Sequence, residues 1–237
     1  MTGSNESNQF VIPAPPRSAV AVASSDRMFP VRRIYCVGRN YAEHAREMGG
    51  DDREPPFFFQ KPADAILPSG SALPYPPLTR DLHHEVELVL ALKTGGRHID
   101  QTLAHQHVYG LAVGIDFTRR DLQAVAKKAG KPWEIGKAFD HSAAIGELMP
   151  IGSEGLPTGG AIALSVNGEE RQRGDIADMV WGCAEVIATL STHYTLAPGD
   201  LIYTGTPAGV GAVVSGDEVV AQIERLGPLK ITVTGPQ

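Results

Sequence analysis

Cysteine is almost missing from this chain. Cys36 and Cys183 are the whole supply among 237 residues, too few for a disulfide framework, so a reducing compartment is the expectation. Long apolar runs are missing too: none approaches the roughly 18 residues that a membrane-spanning helix needs. Residues 1–10 are polar, with no cationic start followed by an apolar core. No secretory signal is therefore expected, and the cytoplasm is the expected location. Lys and Arg never form a block, and the net charge is −6, which makes nucleic acids and membranes poor partners. No Gly-x-Ser-x-Gly elbow occurs, which argues against a serine hydrolase. The glycine-rich loop at 205–211 lacks the Lys-Ser/Thr of a phosphate-binding P-loop. Both cysteines fall in apolar runs patterned as strand and helix, so neither reads as a nucleophile.

What is plentiful points to a β-rich fold. Hydrophobic residues make up 42% of the chain, and 26 Gly and 18 Pro imply many turns between short strands. Strands are expected at 31–37, 56–62, 82–92, 108–117, 201–204, 218–223 and 229–233. A hairpin is expected at 162–172, turning on Asn167-Gly168. Residues 69–77 read as turn. Helices are expected at 42–48, 99–107, 118–130 and 176–193, with Leu122, Val125 and Ala126 as the apolar face of the third. Strands that outnumber helices in this order fit a mixed α+β fold, a β-sandwich or roll, better than a doubly wound sheet. Residues 1–29 read as a polar, Pro-rich arm and residues 30–237 as one catalytic domain.

One stretch concentrates the chemistry. In a strand through 82–92, the period of two puts His83, Glu85, Glu87 and Val89 on one face. Val86, Leu88 and Leu90 then fall on the other, as buried anchors. Two ionised carboxylates beside an apolar run repel each other unless they face water, as on a wet edge strand, or hold a cation between them. Asp116 is the best third carboxylate, although it also suits the N-cap of the helix that follows. Three carboxylates around a hard divalent cation would leave positions open for a chelating 2-oxo acid.

Further residues extend the constellation. His44 and Glu47 share one helical face, as a general base with its orienting carboxylate or as a surface pair. Lys137, after Gly136, could aim an ammonium into a pocket. Arg120 and Gln123, three apart on a helix, could grip a carboxylate. A backbone nest around Thr206 could receive one. His83 and His84 flank the Glu pair as possible supporting partners.

Taken together, these segments resemble the fumarylacetoacetate hydrolase family. The resemblance rests on Gly38-Arg39-Asn40-Tyr41-Ala42-Glu43-His44-Ala45-Arg46-Glu47, Phe59-Gln60-Lys61-Pro62, His84-Glu85-Val86-Glu87-Leu88, and Gly114-Ile115-Asp116-Phe117 running on to Gln123. Gly136-Lys137-Ala138-Phe139-Asp140, Val166-Asn167-Gly168-Glu169 and Thr204-Gly205-Thr206-Pro207 complete it, in family order. It implies a fumarylacetoacetase C-terminal-like fold, a homodimer, and Mg2+ or Mn2+ on Glu85, Glu87 and Asp116. It implies His44 and Glu47 on a lid, Lys137 at the reacting carbonyl, and Arg39, Lys61, Arg120, Gln123 and Thr206 as substrate contacts. The implied activity is metal-dependent hydrolysis of the C3–C4 bond of a 3-acylpyruvate such as fumarylpyruvate, the acylpyruvase branch. The alternatives are an oxaloacetate decarboxylase or tautomerase, a 2-hydroxyhepta-2,4-diene-1,7-dioate isomerase or decarboxylase, and a non-catalytic metal- or ligand-binding module.

Overall fold

A computed structural model describes residues 10–41, 54–152 and 154–236. The expected helix at 42–48, with His44 and Glu47, lies outside them. The described chain is β-rich, as its alternating apolar patterns require. Its first strands are β1 (Ala19–Ala21), β2 (Met28–Pro30), β3 (Arg33–Gly38), β4 (Phe57–Lys61), β5 (Ile66–Pro68), β6 (Ala72–Pro74), β7 (Leu82–His84) and β8 (Val86–Leu92). Next come β9 (Val108–Asp116), β10 (Thr118–Arg119), helix α1 (Arg120–Lys128), helix α2 (Glu134–Lys137), β11 (Ala143–Ile145) and β12 (Met149–Pro150). The hairpin β13 (Ala161–Val166) and β14 (Glu169–Asp175) precedes helix α3 (Cys183–His193). The chain closes with β15 (Asp200–Tyr203), β16 (Gly211–Val213), β17 (Glu218–Ile223) and β18 (Leu229–Thr234).

The principal sheet runs β4-β3-β15-β8-β9-β11-β5, with β12 also paired to β9. A second sheet, β14-β13-β17-β18-β6, packs across it. Leu88 and Leu90 of β8 and Val113 and Ile115 of β9 meet Ile162, Leu164, Val219 and Ala221 in one core. On the other face, Val89, Ala91, Ala112 and Tyr203 pack with Val20, Val22 and Phe29 from the β1–β2 hairpin. Strand β8 is thus central and buried on both faces along its whole length. That rules out a wet edge for Glu87, whose side chain shares a face with Val89 and Ala91. Val86 and Leu88, on the opposite face, are fully buried as expected.

Several expected elements are adjusted by local chemistry. The strand expected at 82–92 breaks at Glu85, between β7 and β8. The Asn167-Gly168 turn forms with φ of 54° and 80°, the left-handed pair that a type I′ hairpin demands. The third helix starts later than expected, at Arg120, and buries Gln123 and Ala126 while Val125 faces solvent. Arg119 sits at its N-cap position, so the capping role considered for Asp116 is not used. The long helix expected at 176–193 is divided. Asp175 caps a single 3-10 turn, Ile176–Asp178, and α3 begins only after Gly182. Between them, Asn40 takes the Val180 and Trp181 amides onto its own oxygens, at 2.8 Å each, diverting them from helix hydrogen bonds. Turn-like residues 69–77 contain β6, added in parallel to β18.

Gly114 lies opposite Glu87 in the β8–β9 register. A Cβ there would stand 2.5 Å from Val89 Cγ2 and 2.6 Å from the Tyr203 ring. Gly114→Ala should therefore overpack this face, costing about 1–3 kcal/mol. Scanning calorimetry should show a Tm lower by roughly 3–10 °C; an unchanged Tm would mean Tyr203 has slack that the packing does not grant.

Candidate active site

The site forms where the central strands of the principal sheet end. The Asp116 amide donates to the Glu85 carbonyl at 2.9 Å, which brings these two residues alongside across β8 and β9. Glu87, two residues on, projects to the same side. Glu85, Glu87 and Asp116 are all buried, and each offers a carboxylate oxygen within 4.8 Å of the others. Such a group of oxygens suits a hard divalent cation.

Cations already approach two of the three carboxylates. The Lys137 ammonium, delivered by the last turn of α2, lies 2.8 Å from Glu85 Oε2 and 2.7 Å from Asp116 Oδ2. It also donates to Thr118 Oγ1 at 2.6 Å. Arg120 at the start of α1 donates to Glu85 Oε1 and, at 2.6 Å, to Gln123 Oε1. Lys61 at the end of β4 lies 2.7 Å from Asp116 Oδ1 and donates to the Phe117 and Lys137 carbonyls. That lysine is too poorly aligned to complete a hydrogen bond to Oδ1, which is left without one among the described residues.

Glu87 is treated differently. Its described hydrogen bond is with the backbone amide of Gly205, at 2.7 Å from Oε2. Burial pushes its carboxyl well above the ordinary value, and the Asp116 and Glu85 carboxylates push it further. A carboxylate so poorly compensated, beside an Asp116 oxygen without an aligned donor, is what a cation-binding set lacks before its cation arrives. The donor set therefore fits Mg2+ or Mn2+. Lys137 shows the opposite balance. Burial works against its charge, but Asp116 and Glu85 outweigh it, so its pKa rises and it stays an ammonium.

The remaining wall is partly apolar. Arg39, Phe59, Trp133 and Thr206 line the same cleft as Glu85, Glu87, Arg120, Gln123 and Lys137. Trp133 meets Phe57 edge-on at 5.0 Å. Arg39 holds a left-handed φ of 57°, uncommon for a side chain of its size, and its Nε has no hydrogen-bond partner among the described residues. Gly205, at φ 96°, is required: a Cβ would stand 2.7 Å from Asn40 Cβ. Asn40 Nδ2 in turn holds the Thr204 carbonyl at 2.8 Å. A larger cavity of about 520 Å³ lies elsewhere, against Leu111, Pro150, Leu156 and Leu226, away from the acidic cluster.

Every sequence-expected site residue that is described gathers here: Glu85, Glu87, Asp116, Lys137, Lys61, Arg39, Arg120, Gln123 and Thr206. Several of them also pair with one another. Arg120 and Lys137 grip the protein's own carboxylates, and the nest before Thr206 receives Glu87. His83 hydrogen-bonds Asp81 at 2.8 Å, whereas His84 is buried against Gln172. The sequence alone assigned no role to Thr118, Asn40 or Gln172, whereas Trp133 stood in a connection that already read as site-like. Thr118 and Asn40 stood inside recognised motifs, whereas Gln172 sits in a charged, solvent-like run that gave no signal.

Comparison with known proteins agrees with this arrangement. Residues 33–234 match the family described as fumarylacetoacetate (FAA) hydrolase C-terminal. The chain is 44% identical over 183 residues to a fumarylpyruvate hydrolase of a Ralstonia species, covering 77% of this chain and 94% of that protein. It is 40% identical over 197 residues to an oxaloacetate tautomerase of Escherichia coli K12, covering 83% and 90%. A crystal structure of fumarylpyruvate hydrolase from Pseudomonas aeruginosa, in complex with Mn2+ and pyruvate, superposes with a TM-score of 0.92. That protein shares 51% identity and covers 95% of this chain and 99% of its own.

The state of Glu87 should be readable in stability. The folded carboxyl keeps its proton to higher pH than the unfolded one, which releases it near 4.5. Across that window the folded state binds more protons, so rising pH favours unfolding. In protein stripped of divalent cations, Glu87→Gln should therefore gain Tm relative to wild type between pH 5 and pH 8. Saturating Mn2+ should raise wild-type Tm more than that of the variant. Parallel Tm–pH curves for the two proteins would contradict the assignment.

Proposed function

The chain belongs to the fumarylacetoacetate hydrolase family, and from that premise we propose that it hydrolyses the C3–C4 bond of 3-acylpyruvates, fumarylpyruvate foremost. The observation that carries the reading is the buried Glu85–Glu87–Asp116 cluster with an ammonium, Lys137, at its edge. A relative solved with Mn2+ and pyruvate supports placing the pyruvoyl half at this cluster. Glu85, Glu87 and Asp116 hold Mg2+ or Mn2+. The bound ion supplies Lewis-acid polarisation of the 2-oxo group and stabilises the charge that develops there.

The chain's own residues do the rest. Arg120, Gln123 and Thr206 orient the substrate, and Arg39 adds positive charge to the same cleft. Glu47 orients His44, which takes a proton from water. The hydroxide so formed bonds to C4, and Lys137, which remains charged, donates to the oxyanion that results. The C4 carbonyl re-forms as the C3–C4 bond breaks. Its electron pair passes to the pyruvate fragment as an enolate, which takes at C3 the proton that His44 had removed from water, and the acyl fragment leaves as a carboxylic acid that gives its proton to solvent. Trp133 and Phe59 limit water at the apolar wall. We place this reaction in the cytoplasm and assign it to a homodimer with a His44/Glu47 lid.

The identity to an oxaloacetate tautomerase favours a second reading. It uses the same binding residues but needs only proton transfer at C3, with no attack by water.

One parallel assay separates them. Mn2+-loaded protein should consume fumarylpyruvate and acetylpyruvate, releasing pyruvate. His44→Ala should lower that hydrolysis roughly 100- to 10,000-fold while Mn2+ affinity is kept. If oxaloacetate enol–keto exchange is accelerated and no acylpyruvate is cleaved, the tautomerase reading replaces the hydrolase.

A further inference from the structure

Gln172 lies on β14, in the sheet that carries none of the acidic cluster or the cations around it, and is buried. Its side chain crosses to the site end of the principal sheet. There Oε1 accepts from the Val86 amide at 3.1 Å and from His84 Nδ1 at 2.9 Å. Its Nε2 donates to Thr206 Oγ1 at 2.8 Å and to the Pro207 carbonyl at 3.0 Å. The amide cannot be the other way round: the Val86 N–H can only donate and the Pro207 carbonyl can only accept. His84 Nδ1 must therefore carry a hydrogen, because Oε1 has none to give.

The same logic fixes Thr206. Its oxygen receives a hydrogen from Gln172, so its own hydroxyl hydrogen is not used on that bond. Thr206 is buried and lines the cleft with Glu85, Glu87 and Arg120. Among the described residues, no acceptor takes that hydrogen. We propose that Gln172 is a positioning residue that turns the Thr206 hydroxyl into a directed donor for the substrate's carboxylate. One amide thereby locks Val86, the residue between Glu85 and Glu87, in register with the loop that closes the opposite side of the cleft. This rests on the reading that a 2-oxo acid binds at the acidic cluster, and it adds the residue that sets the polarity of the carboxylate contact.

The test uses binding rather than turnover. In Gln172→Glu, the introduced carboxylate still accepts from the Val86 amide but has no hydrogen for Thr206. It takes the hydroxyl hydrogen for itself. Titrating pyruvate into Mn2+-loaded protein by calorimetry should give a Kd raised roughly 10-fold, the scale of one hydrogen bond to a charged group. Thr206→Val should show the same loss, and Thr206→Ser should not. Combining Gln172→Glu with Thr206→Val should add no further loss, since both remove one interaction. Mn2+ affinity of Thr206→Val should match wild type. Gln172→Asn, which keeps the amide but withdraws it by one methylene, should also loosen pyruvate, and it serves if Gln172→Glu does not fold. Wild-type pyruvate binding with an unchanged Kd in the Gln172 variants, or losses that multiply in the double variant, would overturn this proposal alone. A wild-type protein that takes up Mn2+ but no pyruvate would instead overturn the functional reading beneath it.

Discussion

Three carboxyl groups held at one buried end of a β-sheet repel one another and lose their water. The structure of the site follows from how that repulsion is offset. Glu85 and Asp116 are brought together by the ladder between β8 and β9, and Glu87 follows on the same face by strand alternation. Lys137, Arg120 and Lys61 converge on Glu85 and Asp116 from α2, α1 and β4. Three cations against three carboxylates would be neutral if all were ionised, yet the distribution is uneven. Glu87 is left with a backbone amide and a raised pKa. A divalent cation among the three carboxylates would correct that imbalance and leave the cleft positive, the sign that an anionic 2-oxo acid needs.

Rigidity comes from the same placement. The sheet buries β8 on both faces, so Val86, Leu88 and Leu90 anchor one side while Glu87 stands on the other. Movement of one carboxylate relative to its neighbours would require the two cores to slip. The wall opposite is fixed by polar side chains rather than by packing. Asn40 ties the strand end at 40, the segment at 180–181 and the Thr204 carbonyl into one unit. Gln172 does the equivalent between the two sheets. A loop held at both ends by buried amides can present Thr206 and the Gly205 N–H without a helix or strand of its own.

Much of this was legible in the sequence, for reasons particular residues make plain. Period-two alternation from Glu85 to Leu90 carried both the carboxylate face and its buried counterpart. Asn167-Gly168 announced its hairpin because few residue pairs tolerate two left-handed φ values. What escaped was what depends on distant partners. Residues 176–193 carry enough apolar spacing for one helix. The backbone bonds of Val180 and Trp181 are claimed by Asn40, about 140 positions away in sequence, and no local pattern encodes that. Val125 looked like core because its helix was judged without knowing which face meets the sheet. Lys61, Arg120 and Lys137 also pair with the protein's own carboxylates, which the sequence does not show: a strand pattern reveals that carboxylates cluster but not which cations come to meet them.

The division of labour has a consequence for how one such chassis can serve related chemistries. Among the described residues, the acidic cluster, the cations that pair with it and the Thr206 loop lie on mutually braced elements. Binding of a pyruvoyl half common to both reactions would not by itself distinguish attack by water from proton exchange at C3. Lys137, whose pKa the neighbouring carboxylates raise, stands beside the cluster as a hydrogen-bond donor, and His44 with Glu47 is the pair the sequence offers as a base. Relatives of comparable identity that hydrolyse fumarylpyruvate or tautomerise oxaloacetate are what this arrangement leads one to expect. Altering the acidic cluster, by contrast, would disturb the charge balance at the end of the sheet.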